Sequence, residues 1–215
     1  MAERSKAPAS KVGKQVACFV GSNPTLSAIE EVMMSLVVFV IDMINDFVYE
    51  KFRNERAIKI IPNIKKILDI ARKKEIPIIY LRDSHEKGDP EELLWGPHAL
   101  SNSKGSEIIS DLKPNRKDYI ILKRTYSGFY KTDLDLLLKK LEVDSAILLG
   151  VSTDICVQNN ANELFYRGFK IFVVKDGTAS INEENHENAL NYMKNIYNAK
   201  IIDTDEAIKL LEEAQ

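Results

Sequence analysis

Cysteine is nearly absent: the 215 residues carry two, Cys18 and Cys156. Two thiols make no disulfide framework, which points to a reducing, cytoplasmic setting. Long apolar runs are missing as well. None approaches the roughly 20 residues needed to span a bilayer, and the one apolar piece near the basic N-terminus, Val16 to Val20, is too short for a signal segment. No charge sign dominates, with 30 Lys and Arg against 32 Asp and Glu and a net charge of -2. Nothing in that balance suggests nucleic acid or an acidic membrane as a partner. Asp42-Met43-Ile44-Asn45-Asp46, after the first strong apolar run, holds no glycine, which excludes a Rossmann dinucleotide turn. Cys156 has no Cys-x-x-Cys partner, which argues against thiol redox chemistry.

What is present suits one globular α/β domain with a full core: 45% of residues are hydrophobic and 29% charged. Residues 1–33 differ from the rest. Met1 to Lys14 is rich in Ala, Ser and Lys, Gln15 to Val20 could form a short strand, and Pro24 to Met33 a helix. This stretch reads as a terminal extension, disordered or an upstream-start product, or as an oligomerisation arm. A second start is available at Met33 or Met34. From Ser35 onward, strands and helices alternate. Strands are expected at Leu36–Ile41, Ile76–Leu81, Tyr119–Leu122, Ser145–Leu149, Lys170–Val174 and Lys200–Ile202. Helices are expected at Pro62–Lys74, Ser106–Leu112, Asp133–Leu141, Thr153 or Asp154 to Tyr166, Glu183–Tyr197 and Asp205–Glu213. This repetition predicts a three-layer α-β-α fold around a doubly wound, mostly parallel six-stranded sheet, with residues 34–215 as its domain.

Parallel strands bring their C-terminal ends to one edge, where ligands bind. Asp42, Asp83 with His85, Lys123 and the turn before Cys156 all fall at such ends. Singly, an Asp there is a turn former and a Lys is solvated; their recurrence at one topological position is the informative point. Cys156 in the first turn of a helix can be a nucleophile with a lowered pKa, or a small buried hydrophobe. Asp42 can take its proton, Lys123 can stabilise the thiolate, and the Ser152 and Cys156 amides can hold an oxyanion. Asp83 and His85 share one side of an extended backbone. With His98, and Glu91 or Glu92 as a fourth ligand, they make a site for a divalent metal; surface histidines and a capping Asp are the plainer reading. His186 reads as a surface or capping residue. Arg82 and Arg124 read as ion-pair partners.

These residues also carry a resemblance. Val40-Ile41-Asp42-Met43-Ile44-Asn45-Asp46-Phe47, Lys123 with Tyr126-Ser127-Gly128-Phe129, and Gly150-Val151-Ser152-Thr153-Asp154-Ile155-Cys156-Val157 resemble the three motifs of the isochorismatase-like cysteine hydrolases, and within them the nicotinamidases. The resemblance runs from Leu36 to about Ala207. It implies a catalytic triad of Asp42, Lys123 and Cys156, and a cis peptide between Val151 and Ser152. It further implies a metal (zinc, or iron or manganese) on Asp83, His85 and His98, with Glu91 as an extra ligand. Phe47, Trp95 and Tyr126 match the pocket aromatics of nicotinamidases. The implied reaction is hydrolysis of nicotinamide to nicotinate and ammonia, with another small amide (a carbamoyl or ureido compound) or an isochorismate-like ether as rival substrates. A binding protein on the same fold is the rival from another class; the intact triad argues against it. The family commonly forms homo-oligomers. Departures are Trp95-Gly96-Pro97-His98 in place of a Trp-Pro pair before the His, Ser84 in place of the common Trp between Asp83 and His85, no Pro following His85, and Ala99 where a Cys is common.

Overall fold

The computed structural model describes residues 34–214. The extension read over residues 1–33, Cys18 included, lies outside them. Strand β1 (Leu36–Ile41) is buried along its whole length, as a central parallel strand covered on both faces should be. Beside it lie β2 (Ile78–Asp83) and the edge strand β3 (Tyr119–Lys123) on one side, and β4 (Ser145–Val151), β5 (Lys170–Ala179) and β6 (Lys200–Ile202) on the other. The order is β3-β2-β1-β4-β5-β6, and every pairing is parallel. The chain reverses direction across the sheet between β1 and β4, so the crevice above their C-terminal ends is the switch point of the fold.

Alternate residues of β1 feed two cores. Val38 and Val40 pack with Ile64, Ile67 and Leu68 of α2 (Glu55–Lys73; a short α1, Asn45–Val48, precedes it). Val37, Phe39 and Ile41 face the opposite layer. That layer's helices are α4 (Leu134–Leu141), α5 (Gln158–Tyr166) and α6 (Glu183–Ile196), while the short α3 (Glu92–Trp95) lies in the β2–β3 connection and buries no residue. The last helix, α7 (Thr204–Glu213), joins α2 through Ala207 and Leu211. A capping box between Asp203 and Glu206 starts it.

The structure corrects several boundaries. The helix expected from Pro62 begins at Glu55, because the Asn54 side chain accepts the Arg56 and Ala57 amides at 3.0 and 3.4 Å. Pro62 lies inside the helix, where burial of Ile60, Ile61 and Ile64 outweighs the hydrogen bond it removes. The expected Ser106–Leu112 helix is two 3₁₀ turns, Lys104–Ser106 and Ser110–Leu112. Strand β2 starts and ends two residues later than expected, β3 runs on to Lys123 and β5 continues to Ala179. Strand β4 runs two residues past the expected Leu149, through Gly150 to Val151. Gly150 has φ +111° and lies opposite Ile41; a Cβ there would sit 2.0 Å from the Ile41 carbonyl oxygen. Only glycine lets β1 and β4 approach directly beneath the crevice.

Candidate active site

Asp42 follows the last residue of β1 in a left-handed conformation, φ 51°, which short polar side chains tolerate. Its Oδ1 accepts the Asp83 amide at 2.9 Å, and its Oδ2 lies 2.7 Å from Lys123 Nζ. Lys123, at the end of β3, is completely buried. Its Nζ also lies 2.5 Å from Asp83 Oδ1, 3.1 Å from the Thr125 carbonyl and 3.8 Å from Cys156 Sγ. One carboxylate oxygen each from Asp42 and Asp83 falls within 4.8 Å of that sulfur and of each other. Sequence residues 42, 83, 123 and 156 thus meet in one buried cluster at the switch point.

The peptide between Val151 and Ser152 is cis. Beyond it, Thr153–Val157 forms a π-helical turn that leads into α5, with the Val157 amide donating to the Ser152 carbonyl at 3.1 Å. Cys156 therefore sits in a wide turn, not in the regular first turn of an α-helix. Neither Thr153 nor Asp154 caps it. Thr153 Oγ1 pairs with His186 Nδ1 at 2.8 Å, and Asp154 bonds Ser152, Ser180 and Asn185. His186 is accordingly buried at 4% exposure and is no surface residue. The electrostatics also depart from a ready thiolate. Burial pushes the Cys156 thiol well above its usual range, Lys123 opposes this, and the Asp42 and Asp83 charges add to it. Burial, with Asp83 alongside and Lys123 opposing, pushes Asp42 up to about 6. The resting pair is a neutral thiol beside a carboxylate with raised basicity, which is what proton abstraction requires.

Asp83, His85, Glu91 and His98 are all buried, and each offers one ligand atom within 4.8 Å of the others. His98 Nδ1 donates to the Gly96 carbonyl at 2.8 Å, which leaves Nε2 a bare lone pair. His85 Nδ1 lies 3.3 Å from Asp89 Oδ2, which fixes the same tautomer. Asp83 Oδ2, His85 Nε2 and Glu91 Oε1 are buried without a hydrogen-bond partner. Burial and the nearby Asp83 push Glu91 up to about 7. Two bare imidazole nitrogens and two carboxylates with orphaned oxygens fit a divalent transition metal.

Above the sulfur lies a cavity of about 280 Å³. Phe47, Trp95, Tyr126 and Phe52 line it. The Trp95 indole donates to the Tyr126 hydroxyl at 2.9 Å, and Phe52 meets Trp95 edge-on at 6.4 Å. Phe52 and Asp89 were missed from sequence: Phe52 lies in the α1–α2 connection, and Asp89 looks like a turn residue beside Gly88. Arg124 holds Asp89 through its Nε, at 3.1 Å, and its terminal nitrogen. Arg82 forms no ion pair among the described residues, and its buried Nε lacks a partner.

The isochorismatase domain, as a family, matches residues 36–206. The chain belongs to the isochorismatase family. Nicotinamidase 3 of Arabidopsis thaliana is 35% identical over 159 residues, 71% of this chain and 77% of the relative. The N-carbamoylsarcosine amidase of Thermoplasma acidophilum superposes with TM-score 0.76 at 34% identity, over 80% of this chain and 98% of that one. The pyrazinamidase of Pyrococcus horikoshii, solved in complex with zinc, gives TM-score 0.73 at 28% identity, over 79% and 99%. These neighbours share the isochorismatase-like α/β fold with this chain, and the chain is a hydrolase of this family. No helix of the described residues is long and apolar enough to cross a membrane.

Proposed function

We propose that this protein is a metal-assisted cysteine amidohydrolase that converts nicotinamide to nicotinate and ammonia. The observation that carries the reading is one shared cavity: the sulfur of Cys156 forms part of it, aromatic rings wall it, and Asp83, Glu91 and His98 reach it from another side. A flat ring amide between aromatic walls is a physically sensible occupant. Asp42 takes the thiol proton, and Cys156 Sγ attacks the carboxamide carbon. The Ser152 and Cys156 amides hold the oxyanion. As the C–N bond breaks, Asp42 returns the proton to the departing ammonia, leaving a thioester on Cys156. Water, deprotonated by Asp42, then cleaves the thioester and releases the acid. Lys123 keeps Asp42 and Asp83 side by side and steadies the thiolate as it forms. A divalent metal, zinc or alternatively iron or manganese, held by Asp83, His85, Glu91 and His98 would supply a Lewis acid for the ring nitrogen and so orient the amide.

The likeness to an N-carbamoylsarcosine amidase favours a second reading, hydrolysis of a carbamoyl compound by the same machinery. Against it, the described cavity lining includes no Arg or Lys to receive such a substrate's carboxylate. In this reading residues 34–215 are the hydrolase domain, acting in the cytoplasm as a homo-oligomer, and residues 1–33 are appended to it. The test is ammonia release from nicotinamide and from N-carbamoyl amino acids, with chelated protein and Cys156→Ala as controls. Release from nicotinamide that needs Cys156 and falls on chelation supports the reading. Release only from the carbamoyl compound would sink the nicotinamide assignment, and unimpaired turnover by Cys156→Ala would sink the mechanism.

A further inference from the structure

The charged groups around the cavity are not all answered. Asp42 and Asp83 face Lys123 at 2.7 and 2.5 Å. The remaining oxygens of Asp83 and Glu91 face the metal site they would share with His85 and His98. Asp154 is different. It lines the same cavity two residues before the sulfur, and its partners are neutral donors. Oδ1 accepts the Ser152 and Ser180 hydroxyls at 2.5 and 2.6 Å, and Oδ2 accepts the Asn185 amide at 3.1 Å. No cation pairs with it among the described residues. These bonds fix the carboxylate in place without cancelling its charge, and a partly enclosed cavity screens that charge far less than bulk water does.

We infer that Asp154 makes the cavity a charge filter, admitting neutral and cationic amides and rejecting anionic ones. As applied to substrates, this rests on the amidase reading above. The filter then acts twice on an amidase. It excludes amides that carry a carboxylate, and it disfavours the product, whose new carboxylate forms where the neutral amide had been. An amide hydrolase gains from this asymmetry because its product differs from its substrate mainly in charge.

The test reads charge at Cys156 without assuming any substrate. In the metal-loaded chain carrying Cys18→Ser, the Cys156 thiol is labelled with methyl, aminoethyl and sulfonatoethyl methanethiosulfonates, which are neutral, cationic and anionic. Each rate is divided by the rate for mercaptoethanol. The cationic reagent should outpace the anionic one by on the order of tenfold. Asp154→Asn keeps an oxygen to accept the two serine hydroxyls and, with Asn185 flipped, its third bond. It should collapse most of that ratio and leave the neutral rate within about twofold. Ile181→Lys, at an exposed position on the cavity rim, should lower the ratio in a chain with Asp154 intact. Equal cationic and anionic rates in the parent, or a ratio that neither variant lowers, would overturn the filter. No turnover of nicotinamide with the ratio intact would sink the proposed substrate and leave the filter standing.

Discussion

Replacing Lys123 with methionine keeps most of its aliphatic length and removes the only ammonium in the cluster of Asp42, Asp83 and Cys156. Both carboxylates and the lysine are completely or almost completely buried, with ion pairs of 2.7 and 2.5 Å. Breaking a buried pair by deleting one partner costs about 3–5 kcal/mol, because the remaining charge is left uncompensated. Here two like charges remain, joined through the Asp83 amide on Asp42 Oδ1 at 2.9 Å. They can avoid ionising together only by sharing a proton. Asp42 is already pushed up to about 6 with Lys123 present; without it the shared proton is held more tightly still. The folded chain then binds more protons than the unfolded one at neutral pH, so the variant is most stable at low pH and loses stability as pH rises through that raised value. Each unit of further rise adds about 1.4 kcal/mol of penalty above it. Urea unfolding followed by circular dichroism, with chelator present so that no cation substitutes for the lysine, should show a loss of about 3–5 kcal/mol near pH 8 and a clearly smaller one near pH 5. A loss of equal size at both pH values, or one under about 1 kcal/mol, would refute the charge argument and make Lys123 a packing residue.

Gly150→Ala should cost more than about 3 kcal/mol in the same assay, since its Cβ would lie 2.0 Å from the Ile41 carbonyl at a φ of +111°; a midpoint shift within error would contradict the close approach of β1 and β4. Asp89→Asn should weaken zinc binding in a chelator competition by about 10- to 100-fold, through loss of the carboxylate on His85 Nδ1, and unchanged affinity would remove Asp89 from the support of the site. In chelated protein, alkylation of Cys156 by iodoacetamide should rise with pH as Asp42 ionises near about 6 and then flatten; a single rise near the ordinary thiol range would mean that Asp42 is not the proton acceptor. Trp95→Ala should raise KM for the ring amide more than it lowers kcat, because the indole bonds Tyr126 at the cavity wall and not at the reacting atoms.

The parts of the site that could be read from sequence are those set by strand ends. Asp42, Asp83, Lys123 and Cys156 follow or close four parallel strands, so an alternating β-α pattern was enough to bring them to one edge. What could not be read depends on partners distant in the chain. Thr153 and Asp154 are good helix-capping types, yet His186 and Ser180 recruit their side chains from 33 and 26 residues away. Freed from capping, the turn opens into a π-helical one. Pro62 resembled a helix start because proline is common there; the stronger cap was Asn54, about two turns upstream, in a connection with no visible period. Asp89 and Phe52 lie on irregular segments whose course only the packed structure defines.

Asp83 shows why the two halves of the site belong together. Its Oδ1 serves Lys123, and its Oδ2 points to the histidine cluster without a hydrogen bond of its own. Its charge therefore bears on both. Facing Lys123, it helps hold the ammonium beside Cys156; left without a cation on the other side, it raises both Asp42 and the Cys156 thiol. A cation at the histidine cluster would draw that charge away from Asp42 and the sulfur, making the thiolate easier to form. On the proposed function, substrate orientation and nucleophile activation would then be coupled through one carboxylate. On this account Asp83→Asn should disturb metal affinity and Cys156 reactivity together, whereas Asp89→Asn, at a residue that bonds His85, Arg124 and the Glu86 amide but neither Lys123 nor Cys156, should disturb the first and leave the second in place.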